Sequence, residues 1–181
     1  MTTHVWLDLE ETIISSWHES LLINHNVIKG WLDDNHIGDI NIWSFAIWDE
    51  GDRDEFVESG MKASLERVLK RKILTYPSLR DMRRMIYQYE KVTYSHNSDF
   101  MSMNGKHWSF IKFCAGEHPD KRCILIDDTV PNWEIKDKKT NGEIILINIA
   151  DLKKTHMEKI NEQETTNKGL NAREYCYQEQ D

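Results

Sequence analysis

The chain predicts an α/β fold in which a central parallel sheet lies between two layers of helices. Three observations lead there. The apolar runs Val5-Trp6-Leu7, Cys123-Ile124-Leu125-Ile126 and Ile144-Ile145-Leu146-Ile147 are continuous rather than alternating, as in strands buried on both faces. Stretches with helical spacing lie between these runs, the alternation that builds a parallel sheet. Two runs stop at acids, Asp8 and Asp127, where an open parallel sheet places its crevice.

Each element follows from local pattern. Residues 4–9 read as the first strand, and 11–20, polar but carrying Ile13, Ile14 and Trp17, as a turn or flap. From Leu22 to Asp34 the residues Ile23, Val27 and Trp31 recur every fourth position, and Ile28 and Leu32 widen the stripe, so an amphipathic helix is expected. Asn35 to Gly38 ends it. Asp39 to Trp48 reads as a second strand on Ile40, Ile42, Phe45 and Ile47, and Asp49 to Asp54 as a charged loop. Glu55 to Lys72 and Ser78 to Glu90 read as helices separated by Tyr76-Pro77, with a short strand at Val92 to Tyr94.

Gly105 precedes an expected helix from Lys106 to Ala115 with Trp108, Ile111 and Phe113 as its apolar content. Residues 122–127 form another buried strand, and Asn141-Gly142 turns the chain into a strand from Glu143 to Ile149. Residues 1–150 are thus the domain core. Within it, 49–105 is mostly helical, either ordinary connecting helices or a small lid. In 151–181, Leu152, Met157 and Ile160 can line one weak helix, and beyond Glu162 the composition favours a polar, solvated tail. Too few residues separate Thr12 from the next helix to build a large cap domain. The expectation is a three-layer, Rossmann-like sandwich.

Composition narrows the function classes. A formal charge of −8 argues against a broad electrostatic grip on nucleic acid, which needs a basic face. It leaves room for a small phosphorylated ligand held by a cation and one or two lysines. No apolar run approaches the roughly 20 residues a membrane helix needs. Cys114, Cys123 and Cys176 are odd in number and widely spaced, unlike a disulfide framework or zinc site, and Cys123 reads as a small core residue. With no signal peptide before the first strand, a cytoplasmic location is expected.

The acids carry the chemistry. Val5-Trp6-Leu7-Asp8-Leu9-Glu10-Glu11-Thr12 and Cys123-Ile124-Leu125-Ile126-Asp127-Asp128-Thr129 each run an apolar strand into carboxylates. Alone, an acid after a strand is more often a turn residue or helix cap. Together, on neighbouring strands, Asp8 and Asp127 would face one crevice, and carboxylate oxygens are the preferred ligands of Mg²⁺.

These residues resemble the haloacid dehalogenase-like superfamily of phosphohydrolases, in its small nucleotidase and phosphatase members, over roughly residues 4–150. The family's first motif, an apolar strand followed by D-x-D-x-T, is matched by Asp8, Glu10 and Thr12. By that resemblance Asp8 is the nucleophile that forms an aspartyl-phosphate. Glu10 would protonate the leaving group and then activate water, its backbone carbonyl would bind Mg²⁺, and Thr12 would brace the loop at the substrate. Ser44, matching a serine or threonine at the end of the next strand, would hold the phosphoryl oxygens; a hydroxyl facing a strand neighbour is the alternative.

Lys106, 21 residues before Asp127, matches the lysine of the third motif and would neutralise both phosphate and Asp8. Lys70 and Lys72 compete for that role but lie on a helix face that reads as solvated. Asp127 and Asp128 match the acidic fourth motif and would hold Mg²⁺. The resemblance implies a nucleotide or related phosphomonoester as substrate. A nucleic-acid end phosphate would instead rely on a basic strip at Lys62, Arg67, Lys70, Arg71 and Lys72. An inactive binding or regulatory module is the other alternative, raised by Glu10 standing where the family has aspartate: the extra methylene carries its carboxyl about 1.5 Å further.

Weaker signals remain. Trp6, Trp31, Trp43 and Trp108 fit core packing; Trp17 and Trp48 pack at the rim or line the pocket mouth, where a ring can stack on a nucleobase. His107 reads as a solvent-exposed residue at a helix start, with substrate contact as the alternative.

Overall fold

The computed structural model describes residues 2–90, 103–136 and 142–176. The parallel strands are β1 (Thr3–Leu7), β2 (Ile40–Ile42), β3 (Ile73–Thr75), β4 (Arg122–Asp127) and β6 (Glu143–Asn148), joined at one edge by the antiparallel β5 (Trp133–Lys136). The sheet order is β3-β2-β1-β4-β6-β5. The two acid-tipped strands are therefore central neighbours, in register from Thr3↔Arg122 to Leu7↔Ile126.

Helices cover both faces. Period-2 alternation sends Val5 and Leu7 to one side of β1 and Trp6 to the other. Against Val5 and Leu7 pack α1 (His25–Asp34), α2 (Glu50–Glu58), α3 (Met61–Leu69) and the start of α6 (Ile149–Cys176), through Ile28, Leu32, Phe56, Leu65, Leu69 and Leu152. Against Trp6 pack α4 (Leu79–Glu90) and α5 (Met103–Glu117), through Leu79, Met82, Ile86, Phe110 and Phe113. This is the expected α/β three-layer, Rossmann-like sandwich. Among the described residues no helix is long and apolar enough to cross a membrane.

Several elements differ from expectation. β2 ends at Ile42, and Trp43 to Trp48 leave the sheet as a loop whose apolar content is nonetheless buried at Trp43 and Ile47. The expected charged loop at 49–54 is mostly helix: Asp49 caps α2 by accepting from the Gly51 and Asp52 N–H groups, while the Asp52 carboxylate accepts from the Asp49 N–H, a reciprocal capping box. The single helix expected from Glu55 to Lys72 is two, broken where Gly60 takes φ +81°, a conformation that costs a residue with a Cβ.

The region 49–105 is not purely helical, because β3 lies within it. Its helices α2 and α3 pack on the sheet through Phe56, Met61, Leu65 and Leu69 as connecting helices do. The edge strand β5 was not expected at all. The weak C-terminal helix runs from Ile149 to Cys176, into the stretch read as tail. The expected strand at 92–94 lies outside the described residues.

Candidate active site

Register alone brings the first two carboxylates together. Leu7 pairs with Ile126, and the Asp8 N–H donates to the Ile126 carbonyl at 3.0 Å, so Asp8 and Asp127 leave the sheet side by side. On the other flank Leu7 pairs with Ile42 and its carbonyl accepts from the Trp43 N–H, which sets Ser44 beside Asp8. Ser44 lies two residues past the end of β2, is buried, and its hydroxyl hydrogen-bonds the Asp8 carboxyl group.

Lys106 comes from α5, on the opposite face from α1. Its Nζ lies 2.8 Å from Asp8 Oδ1 and 2.6 Å from Asp127 Oδ2, and all three residues are buried. The helix begins at Met103, so Lys106 sits within its first turn rather than opening it. The contact with Asp127 Oδ2 is a close charge contact whose angle is not that of a hydrogen bond, since that oxygen has no hydrogen-bond partner among the described residues. Thr12 is fully buried and donates its hydroxyl to Asp8 Oδ2 at 3.4 Å, while Asn24 Nδ2 donates to the Thr12 carbonyl. Thr12 thus braces Asp8 and the loop.

Asp128, half-buried, completes a group with Asp8 and Asp127 in which one carboxylate oxygen from each lies within 4.8 Å of the others. Three carboxylates against one ammonium leave a formal −2. The electrostatics register this excess. Burial raises the Asp8 pKa, Lys106 pulls it down, and the Asp127 charge raises it again, leaving it at about 6. Asp128 is raised by burial and then by Asp127. Burial opposes the charge on Lys106, but Asp8 and Asp127 outweigh it and push its pKa up, so it stays a cation.

The residues fit a Mg²⁺ ion. The donors are hard oxygens, their charge matches a divalent cation, and Asp127 Oδ2 is a buried acceptor lacking a hydrogen bond. Asp8, Asp127 and Asp128 would hold it.

Glu10 stands apart from this group. It is absent from the carboxylate cluster, and its Oε1 accepts the Trp17 N–H at 2.8 Å. Trp17 is anchored in turn by stacking on Phe56 at 6.4 Å. The extra methylene of glutamate turns the carboxylate toward the 11–20 segment, which is a folded flap: Ile13 and Ile14 are buried, and bridges link Ile14 to Glu10 and Leu22. Glu11 is exposed in the left-handed region at φ 57°.

Three supporting residues escaped the sequence reading. Thr129 donates both its N–H and its hydroxyl to Asp127 Oδ1, at 2.7 and 2.6 Å. Asn148, the interruption in the last apolar run, donates its amide to the Asp128 and Val130 carbonyls. His107, expected on the surface, is 6% exposed and bonds to the Thr129 backbone. A polar residue breaking a buried strand was the available signal for Asn148; nothing local marks the other two. Trp108, expected in the core, is 52% exposed, whereas Trp6 and Trp43 are buried.

An open groove of about 520 Å³ lies elsewhere, bordered by Gly38, Asp39, Glu66, Lys70, Arg71 and Lys72. These residues precede β2 and β3, at the end of the sheet opposite Asp8. The lysine that reaches the acids is Lys106, not Lys70 or Lys72. No family model, curated protein or solved structure matches the chain.

Proposed function

We propose that the protein is a Mg²⁺-dependent phosphohydrolase of the haloacid dehalogenase-like type, acting on a nucleotide or related phosphomonoester in the cytoplasm. The observation that carries this reading is Lys106 bridging Asp8 and Asp127 from across the sheet, at 2.8 and 2.6 Å. A buried lysine between two strand-tip acids has no packing rationale of its own: removing charge from water is costly, and an apolar trio would stabilise the core at least as well.

In this mechanism Asp8 attacks phosphorus, its Oδ forming the new bond as the bond to the leaving oxygen breaks. Lys106 and the Ser44 hydroxyl hold the phosphoryl oxygens in line. Glu10 gives its proton to the departing oxygen, then takes one from the water that attacks phosphorus and releases inorganic phosphate and the Asp8 carboxylate. To do so it must leave the Trp17 N–H. Bound Mg²⁺ would neutralise charge on the transferring phosphoryl group.

Asp8→Asn tests the assignment. The variant should fold with unchanged far-UV dichroism and lose all turnover of a phosphomonoester in Mg²⁺. Full activity in that variant would end the nucleophile assignment.

The tie between Glu10 and Trp17 favours one second reading, a binding or regulatory module with little turnover. Strict inactivity across a panel of phosphate esters with Mg²⁺, together with tight binding of an unhydrolysed ester, would establish it. A nucleic-acid end phosphate is less well supported, because Lys70, Arg71 and Lys72 border a groove at the far end of the sheet from the acids.

A further inference from the structure

The loop after β4 is held with unusual completeness. Three successive carbonyls, those of Asp128, Thr129 and Val130, are each engaged by a side chain: Asn148 takes the first and third, and the His107 ring takes the second. Between them the Thr129 N–H and hydroxyl are both aimed at Asp127 Oδ1. Asp127 is fully buried, so this fixes the plane of its carboxylate and leaves Oδ2 turned toward Lys106.

His107 is suited to that task and to little else. It is buried, its Nε2 has no hydrogen-bond partner among the described residues, and the edge-on ring of Trp133 lies 6.5 Å away. A neutral imidazole carries one donor. With Nε2 unpaired, that donor is Nδ1–H, directed at the Thr129 carbonyl. Burial pushes the ring pKa down and keeps it neutral.

We propose that His107 is a positioning residue for the cation site: its single ring hydrogen bond fixes the Thr129 peptide and thereby presents Asp127 Oδ2 to a divalent ion. The proposal rests on the Mg²⁺ site described above. Residues that orient a metal ligand without touching the metal commonly govern affinity by about 10–100-fold.

The test is Mn²⁺ binding to the full chain followed by electron paramagnetic resonance, with thermal melts as a check on folding. His107→Phe should weaken Mn²⁺ about tenfold or more, while His107→Asn, whose amide N–H can replace Nδ1–H, should stay within about threefold of the parent. Asp127→Asn separates the two levels of inference. If the parent shows no saturable binding, or Asp127→Asn binds as the parent does, the metal site itself fails. If Asp127→Asn loses binding but His107→Phe does not, only the positioning role is overturned. Equal weakening by Phe and Asn would likewise overturn the donor role. Should His107→Phe not fold, the ¹⁵N spectrum of the parent decides: protonated Nδ1 and bare Nε2 are expected, and the reverse tautomer refutes the proposal.

Discussion

Replacing Lys106 by Met removes the one cation that the structure sets against Asp8 and Asp127 and keeps a side chain of similar length. The three side chains are 10%, 4% and 0% exposed, so water cannot compensate. Leaving a buried charge without its partner typically costs about 3–5 kcal/mol. The acids can escape part of that cost by taking up protons, which makes the loss depend on pH in a definite direction. In the parent, Asp8 already titrates at about 6 against an ordinary 3.8, a rise worth roughly 3 kcal/mol.

A folded chain that still holds this proton when the unfolded chain has released it loses stability as pH climbs from about 4 to about 6, and no more above that. Without Lys106 the Asp8 pKa rises further, so the fall continues past about pH 6. The variant should therefore match the parent to within about 1 kcal/mol near pH 4 and trail it by about 3–5 kcal/mol near pH 7.5. Urea melts in chelator near pH 4, 6 and 7.5 give the curve, and millimolar Mg²⁺ should recover part of the deficit at the highest pH. A deficit independent of pH, or none near pH 7.5, would refute the claim that Lys106 neutralises the pair.

Two further outcomes follow from single contacts. Glu10→Gln keeps an oxygen acceptor for the Trp17 N–H, so melts should agree within about 0.5 kcal/mol. Turnover of alkyl phosphates should nevertheless fall by about 10²-fold or more through loss of the transferable proton, and unchanged turnover would remove Glu10 from the chemistry. Asp49→Ala deletes the α2 cap and should cost about 1 kcal/mol in urea melts with turnover unaltered.

The parts of the fold legible in the sequence are those where burial acts on both faces at once. β1, β4 and β6 could be read because a strand between two helical layers has no polar side, and α1 because its stripe recurs at helical spacing. The residues past β2 misled for the same reason. Trp43 and Ile47 are as buried as strand residues, so apolar content cannot tell a strand from a loop folded onto the core. β3 and β5 failed oppositely: as short edge strands with exposed residues such as Leu74 and Trp133 they carry no such signature.

Asp49 and Asp52 read as a charged loop because composition is blind to which backbone N–H a carboxylate reaches. At the site, Asp8 and Asp127 were legible because a strand tip fixes position along the sheet. Glu10 was legible as a departure, but its partner was not, since Trp17 is brought to it by the fold of the flap.

That contact changes what the extra methylene means. Measured from the backbone alone, glutamate for aspartate is a matter of reach, with the carboxyl about 1.5 Å too far out. In the folded chain the added length is spent on the Trp17 N–H, and Trp17 is held by Phe56 of α2. The residue two positions after the nucleophile is thus bonded to the flap that lies beside the crevice. Freeing its carboxylate breaks a hydrogen bond to a charged acceptor, a bond worth about 1.5–3 kcal/mol. Under the proposed mechanism, proton transfer to a leaving group and release of the 11–20 segment then become one event. Substrate contacts that loosen the flap would speed turnover, and a ligand that leaves it closed would bind without being hydrolysed. The enzyme and the binding module are two states of the same Glu10 side chain, and the substrate decides between them.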